Sequence, residues 1–125
     1  MKIVVLLMKR ASLAQGLIYK SALYDDLQLI HEPDYAKACQ IILECQAQAA
    51  LLEITEGEQC SPTYCLRMCS LLRQTVPQCR LMLMCPEQNP GAVEDSIRAK
   101  RQGLIDNFVF YDVSMDYLLA SLRSL

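Results

Sequence analysis

Short apolar runs alternate five times with segments of helical periodicity. Ile3 to Leu7 is continuously apolar, the pattern of a strand covered on both faces. Leu27 to Ile30, Ala49 to Ile54, Leu81 to Cys85 and Phe108 to Tyr111 predict four more strands, the last carrying the β-rich run Phe108-Val109-Phe110-Tyr111. Between them, Ser12 to Tyr24 places Leu13, Leu17, Ala14 and Ile18 on one side of a helix. Asp34 predicts an N-cap for a helix over Tyr35 to Gln46, with Ala38, Ile41, Ile42 and Cys45 at helical spacing. Ser61-Pro62 is a strong helix start, a capping serine followed by proline in the first turn, and that helix ends near Thr75, before Pro77. Asn89-Pro90 repeats the start, and Gly103 stands where a C-terminal glycine belongs. Ser114 caps a last helix that buries Leu118, Leu119 and Leu122. Gly57 and the polar stretch Glu56 to Cys60 mark a loop.

The predicted order is βαβαβαβαβα. Helical crossovers of about 10 to 20 residues join parallel strands. The expected fold is an α/β, doubly wound five-stranded parallel sheet of flavodoxin-like order, (βα)5. Ligands in such sheets bind beyond the carboxyl ends of the strands. Function is therefore expected at Leu7 to Lys9, Glu53 to Thr55, Cys85 to Glu87 and Tyr111 to Asp112.

Composition narrows the classes. A length of 125 residues with 53% hydrophobic and 21% charged content suits one folded domain, 1–125, rather than a disordered chain. The net charge of −2 gives no electrostatic footprint for nucleic acid or a membrane surface. No apolar run approaches the roughly 20 residues of a membrane span, and no secretion signal opens the chain. A cytoplasmic location is expected, with the seven cysteines as reduced thiols packed like small hydrophobes. Cys65 and Cys69 share a helix face near Cys60, but no CxxC pair exists and His31 is the sole histidine, so no metal site is expected. The segment Met8-Lys9-Arg10-Ala11-Ser12 lacks the glycines of a phosphate loop, and no nucleophile–base pair is evident. Neither an enzyme nor a cofactor is expected.

Several stretches resemble the receiver domains of response regulators, which are CheY-like, and more narrowly those of NarL/LuxR-type transcription regulators. They are Gln15-Gly16-Leu17, then Asp26-Leu27-Gln28-Leu29-Ile30-His31-Glu32, then Asp34-Tyr35-Ala36-Lys37-Ala38. Leu71-Leu72-Arg73 and Val76-Pro77-Gln78-Cys79-Arg80-Leu81 continue the likeness into strand four. The resemblance implies two-component signal transduction. Receivers carry a phosphoacceptor aspartate, two acidic magnesium ligands, a hydroxyl residue and a lysine at their strand ends, and phosphoryl transfer needs each of them.

The sequence departs at those positions. The acidic pair falls on Leu7 and Met8, which offer no oxygen to a hard cation. The acceptor position is Glu53, the hydroxyl position Cys85, the lysine position Tyr111, and the following proline Asp112. The loop after strand three, Ile54-Thr55-Glu56-Gly57, is longer than in the family. The resemblance thus implies a degenerate site: a receiver scaffold whose phosphorylation chemistry has been lost. Glu53 has two readings. It imitates a phosphorylated aspartate, or it is an acidic strand-end residue, solvated or paired with Lys9 or Arg10.

The expected function is an atypical receiver working by phosphorylation-independent contact with a protein partner or a second copy, in signal transduction and transcription regulation. In receivers the face of helix four, strand five and helix five forms such contacts. Here it includes Arg98, Arg101, Asp112, Asp116 and Tyr117. Phe108 takes the switch-aromatic position, with a plain core role as its simpler reading. The alternatives are a small-molecule sensor using an apolar pocket above Leu7, Met8 and Cys85, and a redox sensor through Cys85. NarL-type proteins add a helix-turn-helix domain. This sequence ends at Leu125 with the last receiver helix, so a fragment or a stand-alone receiver without direct DNA contact is expected.

Overall fold

The five apolar runs are five parallel strands of a single sheet in a computed structural model that describes residues 1–56 and 60–125. Gly57, in the middle of the expected loop, lies with Glu58 and Gln59 outside the described residues. The strands are β1 (Lys2–Leu7), β2 (Leu27–Glu32), β3 (Ala49–Glu53), β4 (Arg80–Cys85) and β5 (Asn107–Phe110). Their order is β2-β1-β3-β4-β5, the doubly wound order expected of a flavodoxin-like, CheY-like fold. Reversal of the winding between β1 and β3 opens a crevice at their carboxyl ends. Leu7 pairs there with Leu52, one residue short of Glu53.

The helices are α1 (Ala11–Ser21), α2 (Ala38–Cys45), α3 (Pro62–Thr75), α4 (Pro90–Arg101) and α5 (Met115–Ser124). Ser61, Asn89 and Ser114 cap α3, α4 and α5, accepting from the N–H groups of Tyr64, Ala92 and Tyr117 at 3.2, 3.1 and 3.1 Å. Gly103 takes a φ of +76° just after α4, where a side chain would be strained. Two starts differ from expectation. Asp34 caps a 3-10 turn, Tyr35–Lys37, that precedes α2, and α1 begins one residue before Ser12, with Arg10 at its N-cap position.

Alternation along the strands splits the core in two. Val5, Leu7, Leu52, Leu83 and Cys85 face α2, α3 and α4. Val4, Leu6, Met8, Leu51, Met82 and Met84 face α1 and α5. Among the described residues no helix is long and apolar enough to cross a membrane.

Candidate functional site

Glu53 ends β3 and is wholly buried, the one fully buried charged residue among those described. A carboxylate taken out of water is costly unless it is paired and hydrogen-bonded. Both of its oxygens are used. Oε1 accepts from the backbone N–H groups of Lys9 and Arg10, at 2.8 and 3.1 Å. Oε2 accepts from Nε of Arg10 in a direct ion pair. The β1–α1 turn thus supplies two backbone dipoles and one guanidinium to a single side chain.

Arg10 is held from other sides as well. Its guanidinium lies 4.4 Å from the Tyr111 ring centroid, and Nη2 is 3.4 Å from Sδ of Met84. A planar cation can stack on an aromatic face while donating in its own plane, which an ammonium cannot do. Tyr35 donates its hydroxyl to the Glu53 carbonyl at 2.6 Å, and Lys9 Nζ sits 5.5 Å over the Tyr35 ring. Burial pushes the Tyr35 phenol far above its ordinary value. His31 Nε2 lies 2.8 Å from the Met8 carbonyl oxygen, so β2 anchors the turn that carries Lys9 and Arg10.

These residues do not fit a magnesium ion. Leu7 and Met8 are fully buried and belong to opposite halves of the apolar core. Magnesium wants near-octahedral oxygen ligands, and both Glu53 oxygens are committed to N–H donors. Among the described residues no group of three or more His, Cys, Asp or Glu side chains could hold a metal.

A cavity of about 550 Å³ opens above the ion pair, lined by Arg10, Glu53, Thr55, Glu56, Pro86 to Gln88, Tyr111 and Asp112. It carries more carboxylates than cations. Desolvation, then the neighbouring Asp112 carboxylate, raises the Glu87 pKa above its ordinary value.

The cavity beyond the strand ends is not the apolar pocket expected above Leu7, Met8 and Cys85. None of the three lines the cavity, and all are fully buried. Cys85 points the other way: its Sγ lies 3.7 Å from the Pro86 carbonyl, and its pKa is raised chiefly by burial, with Ser96 of α4 as a hydrogen-bonding neighbour that opposes the rise. A buried, protonated thiol is a poor nucleophile, which corrects the placement of Cys85 at the pocket edge. Phe108 is half-buried against Phe110, their centroids 5.8 Å apart. The five residues of the expected partner face have divergent neighbours. Asp112 lines the cavity, Arg98 pairs with Asp95 at 3.3 Å, and Asp116 reaches Lys20 of α1 at 2.9 Å. Arg101 and Tyr117 are exposed.

The Tyr111 phenol is pushed up to about 12, by burial first and then by Glu53, with Arg10 opposing. A phenol whose folded pKa lies above its ordinary 10.0 stabilises the fold below pH 10 and loses that contribution as pH rises through about 12. Tyr111→Phe is therefore expected to flatten the alkaline loss of stability above pH 10. Because the site is partly open to water, the difference is about 0.5 kcal/mol, read from urea midpoints across the alkaline range.

No family model matches the sequence, and no curated protein matches it. Solved structures do match. A DNA-binding response regulator of the LuxR family from Staphylococcus aureus aligns over 99% of this chain and 98% of its own, with a TM-score of 0.78 and 15% identity. A CheY-like protein from Pseudomonas aeruginosa aligns over 99% and 98%, with a TM-score of 0.75 and 12% identity. A protein described among redox sensors of the streptococci that evolved from two-component response regulators aligns over 99% of this chain and 50% of its own, with a TM-score of 0.78 and 17% identity. Receiver domains of response regulators are among the structural neighbours, and the chain has their fold.

Proposed function

We propose that the chain is a receiver-like signalling domain that acts by protein contact, without catalysis and without phosphoryl transfer, in which Arg10 supplies the positive charge that magnesium supplies in receivers. The observation that carries this reading is the ion pair between the wholly buried Glu53 carboxylate and Arg10, whose guanidinium stacks on Tyr111. In receivers a cation and a lysine neutralise the phosphorylated strand-three carboxylate. Here a carboxylate one methylene longer than aspartate is neutralised by the chain's own guanidinium. The site is therefore set in one state and needs no donor. Transcription regulation, a cytoplasmic location and the absence of direct nucleic-acid contact accompany this reading.

The streptococcal neighbour gives a redox reading some weight, but the five buried cysteines do not favour it. Burial is the leading cause that lifts the Cys69 and Cys79 thiols to about 12 and raises Cys60, Cys65 and Cys85. The direct test of the main reading is intact-protein mass spectrometry after incubation with acetyl phosphate and magnesium. No mass gain is expected, and a stoichiometric phosphoryl adduct on Glu53 would refute it.

A further inference from the structure

We infer that the amino ends of the strands form a docking surface for an acidic segment of a partner protein, which seats an apolar side chain in a cavity beside a group of cations. This rests on the reading that the domain works by protein contact, and it names the surface and the chemistry of the partner.

A second cavity, of about 510 Å³, lies at the opposite end of the sheet from Glu53. Ile42, Leu43 and Ala47 give it apolar walls, and Gln46, Gln48 and Gln78 give it amides. Leu43 is 58% exposed, although Ile42 beside it is buried. A cavity of this size takes one large apolar side chain together with the chain that bears it. Each glutamine amide both donates and accepts, so either group of a passing peptide backbone can be met.

Arg80 joins this cavity to the charge. Its backbone N–H donates to the Gln48 carbonyl at 2.8 Å, and its Nη1 reaches Asp106 at 3.2 Å. Asp106 also accepts from Arg73 Nη2 at 2.6 Å, so one carboxylate serves two guanidinium groups. Lys100 Nζ reaches the neutral Asn107 amide at 3.2 Å, and Arg101 follows it, exposed, in the last turn of α4. Strands lie about 4.8 Å apart, so β3 and β5 start roughly 10 Å from each other and one short segment spans cavity and cations. Basic residues in a last helical turn complement the helix dipole. That accounts for their sign but leaves the exposed leucine and the cavity without a role.

The carboxylates at this end direct the partner's charge. Asp25 and Asp26 precede β2, at the far edge of the sheet, and Asp26 is paired with Arg123 at 3.0 Å. Glu44 follows Leu43 on α2 and accepts from Gln40 at 3.0 Å. Positive charge is therefore in excess on the β4–β5 side alone, with the apolar cavity next to it. An acidic chain with an apolar anchor matches both features.

Fluorescence anisotropy on the full chain tests this. The probe is a fluorescein-labelled peptide of alternating glutamate and leucine, and its control has serine in place of leucine. The leucine peptide is expected to bind, and the serine peptide to bind about tenfold more weakly. Lys100→Glu/Arg101→Glu and Leu43→Ser are each expected to weaken the leucine peptide about tenfold, with the fold retained by circular dichroism. Lys20→Glu, a charge reversal on α1, is expected to bind as wild type does. No binding of the leucine peptide, equal binding of the two peptides, or equal weakening by Lys20→Glu would overturn the inference. So would Leu43-dependent capture by anionic phospholipid vesicles, or a wild type that sediments at twice 14.1 kDa and falls to 14.1 kDa with Leu43→Ser. A phosphoryl adduct on Glu53 would sink the preceding proposal and leave this binding in place, because the two sites lie at opposite ends of the sheet.

Discussion

Leu7→Asp is expected to unfold much of the protein rather than restore a magnesium ligand. Leu7 stands at a position where receivers hold the metal, but here it is fully buried, in one cluster with Tyr35, Leu52, Ile54 and Cys65. Removing the leucine loses its packing, about 2 to 5 kcal/mol. The new carboxyl group is buried with no partner, about 1 to 3 kcal/mol more. A total near 5 kcal/mol is a large share of the roughly 5 to 15 kcal/mol that holds a domain together. The urea midpoint should fall sharply, with excess magnesium giving no recovery. A ligand that binds only the folded state must raise stability by mass action. Magnesium-dependent rescue would therefore show that a metal site persists under the apolar surface.

Arg10→Met is the second large effect. Breaking a fully buried ion pair from one side costs about 3 to 5 kcal/mol, because the other charge is left uncompensated. Glu53 is wholly buried but the Arg10 side chain is 44% exposed, and water entering the vacated space screens part of the loss. About 2 to 3 kcal/mol is expected, a drop of roughly 6 to 15 °C in melting temperature for a chain of this size. The double variant Arg10→Met/Glu53→Gln should recover most of it. The amide oxygen can still accept the two backbone N–H groups, and no charge is left behind. Glu53→Gln alone sets an amide N–H or a poorer acceptor against the guanidinium and falls between. Strict additivity of the two single effects would mean that the residues are not coupled.

The architecture was legible because it rests on local signals. Five apolar runs, two proline-containing helix starts and Gly103 place the elements, and a parallel sheet requires helical crossovers between them. Glu53 was legible as a strand-end position, and Lys9 and Arg10 as its available cations. What the residues could not disclose is that the Glu53 carboxylate is buried. Burial depends on how the β1–α1 turn folds over the strand end, and on the distant Tyr111 and Tyr35 that close over it. Cys85 was misplaced by one step of strand alternation. It shares the Leu83 side of β4 and faces α4, while Met84 faces Arg10. Tyr35 left a weaker trace. Its place after the Asp34 cap suggested a helix start, and the 3-10 turn found there brings its hydroxyl to the Glu53 carbonyl.

In the proposed site the chain's own guanidinium takes the role of the cation. A crystal structure of the protein grown with magnesium and beryllofluoride tests it most directly. Arg10 is expected still bonded to Glu53 and stacked on Tyr111, with no ion between them. Magnesium in octahedral coordination on Glu53, with Arg10 swung out to solvent, would contradict it.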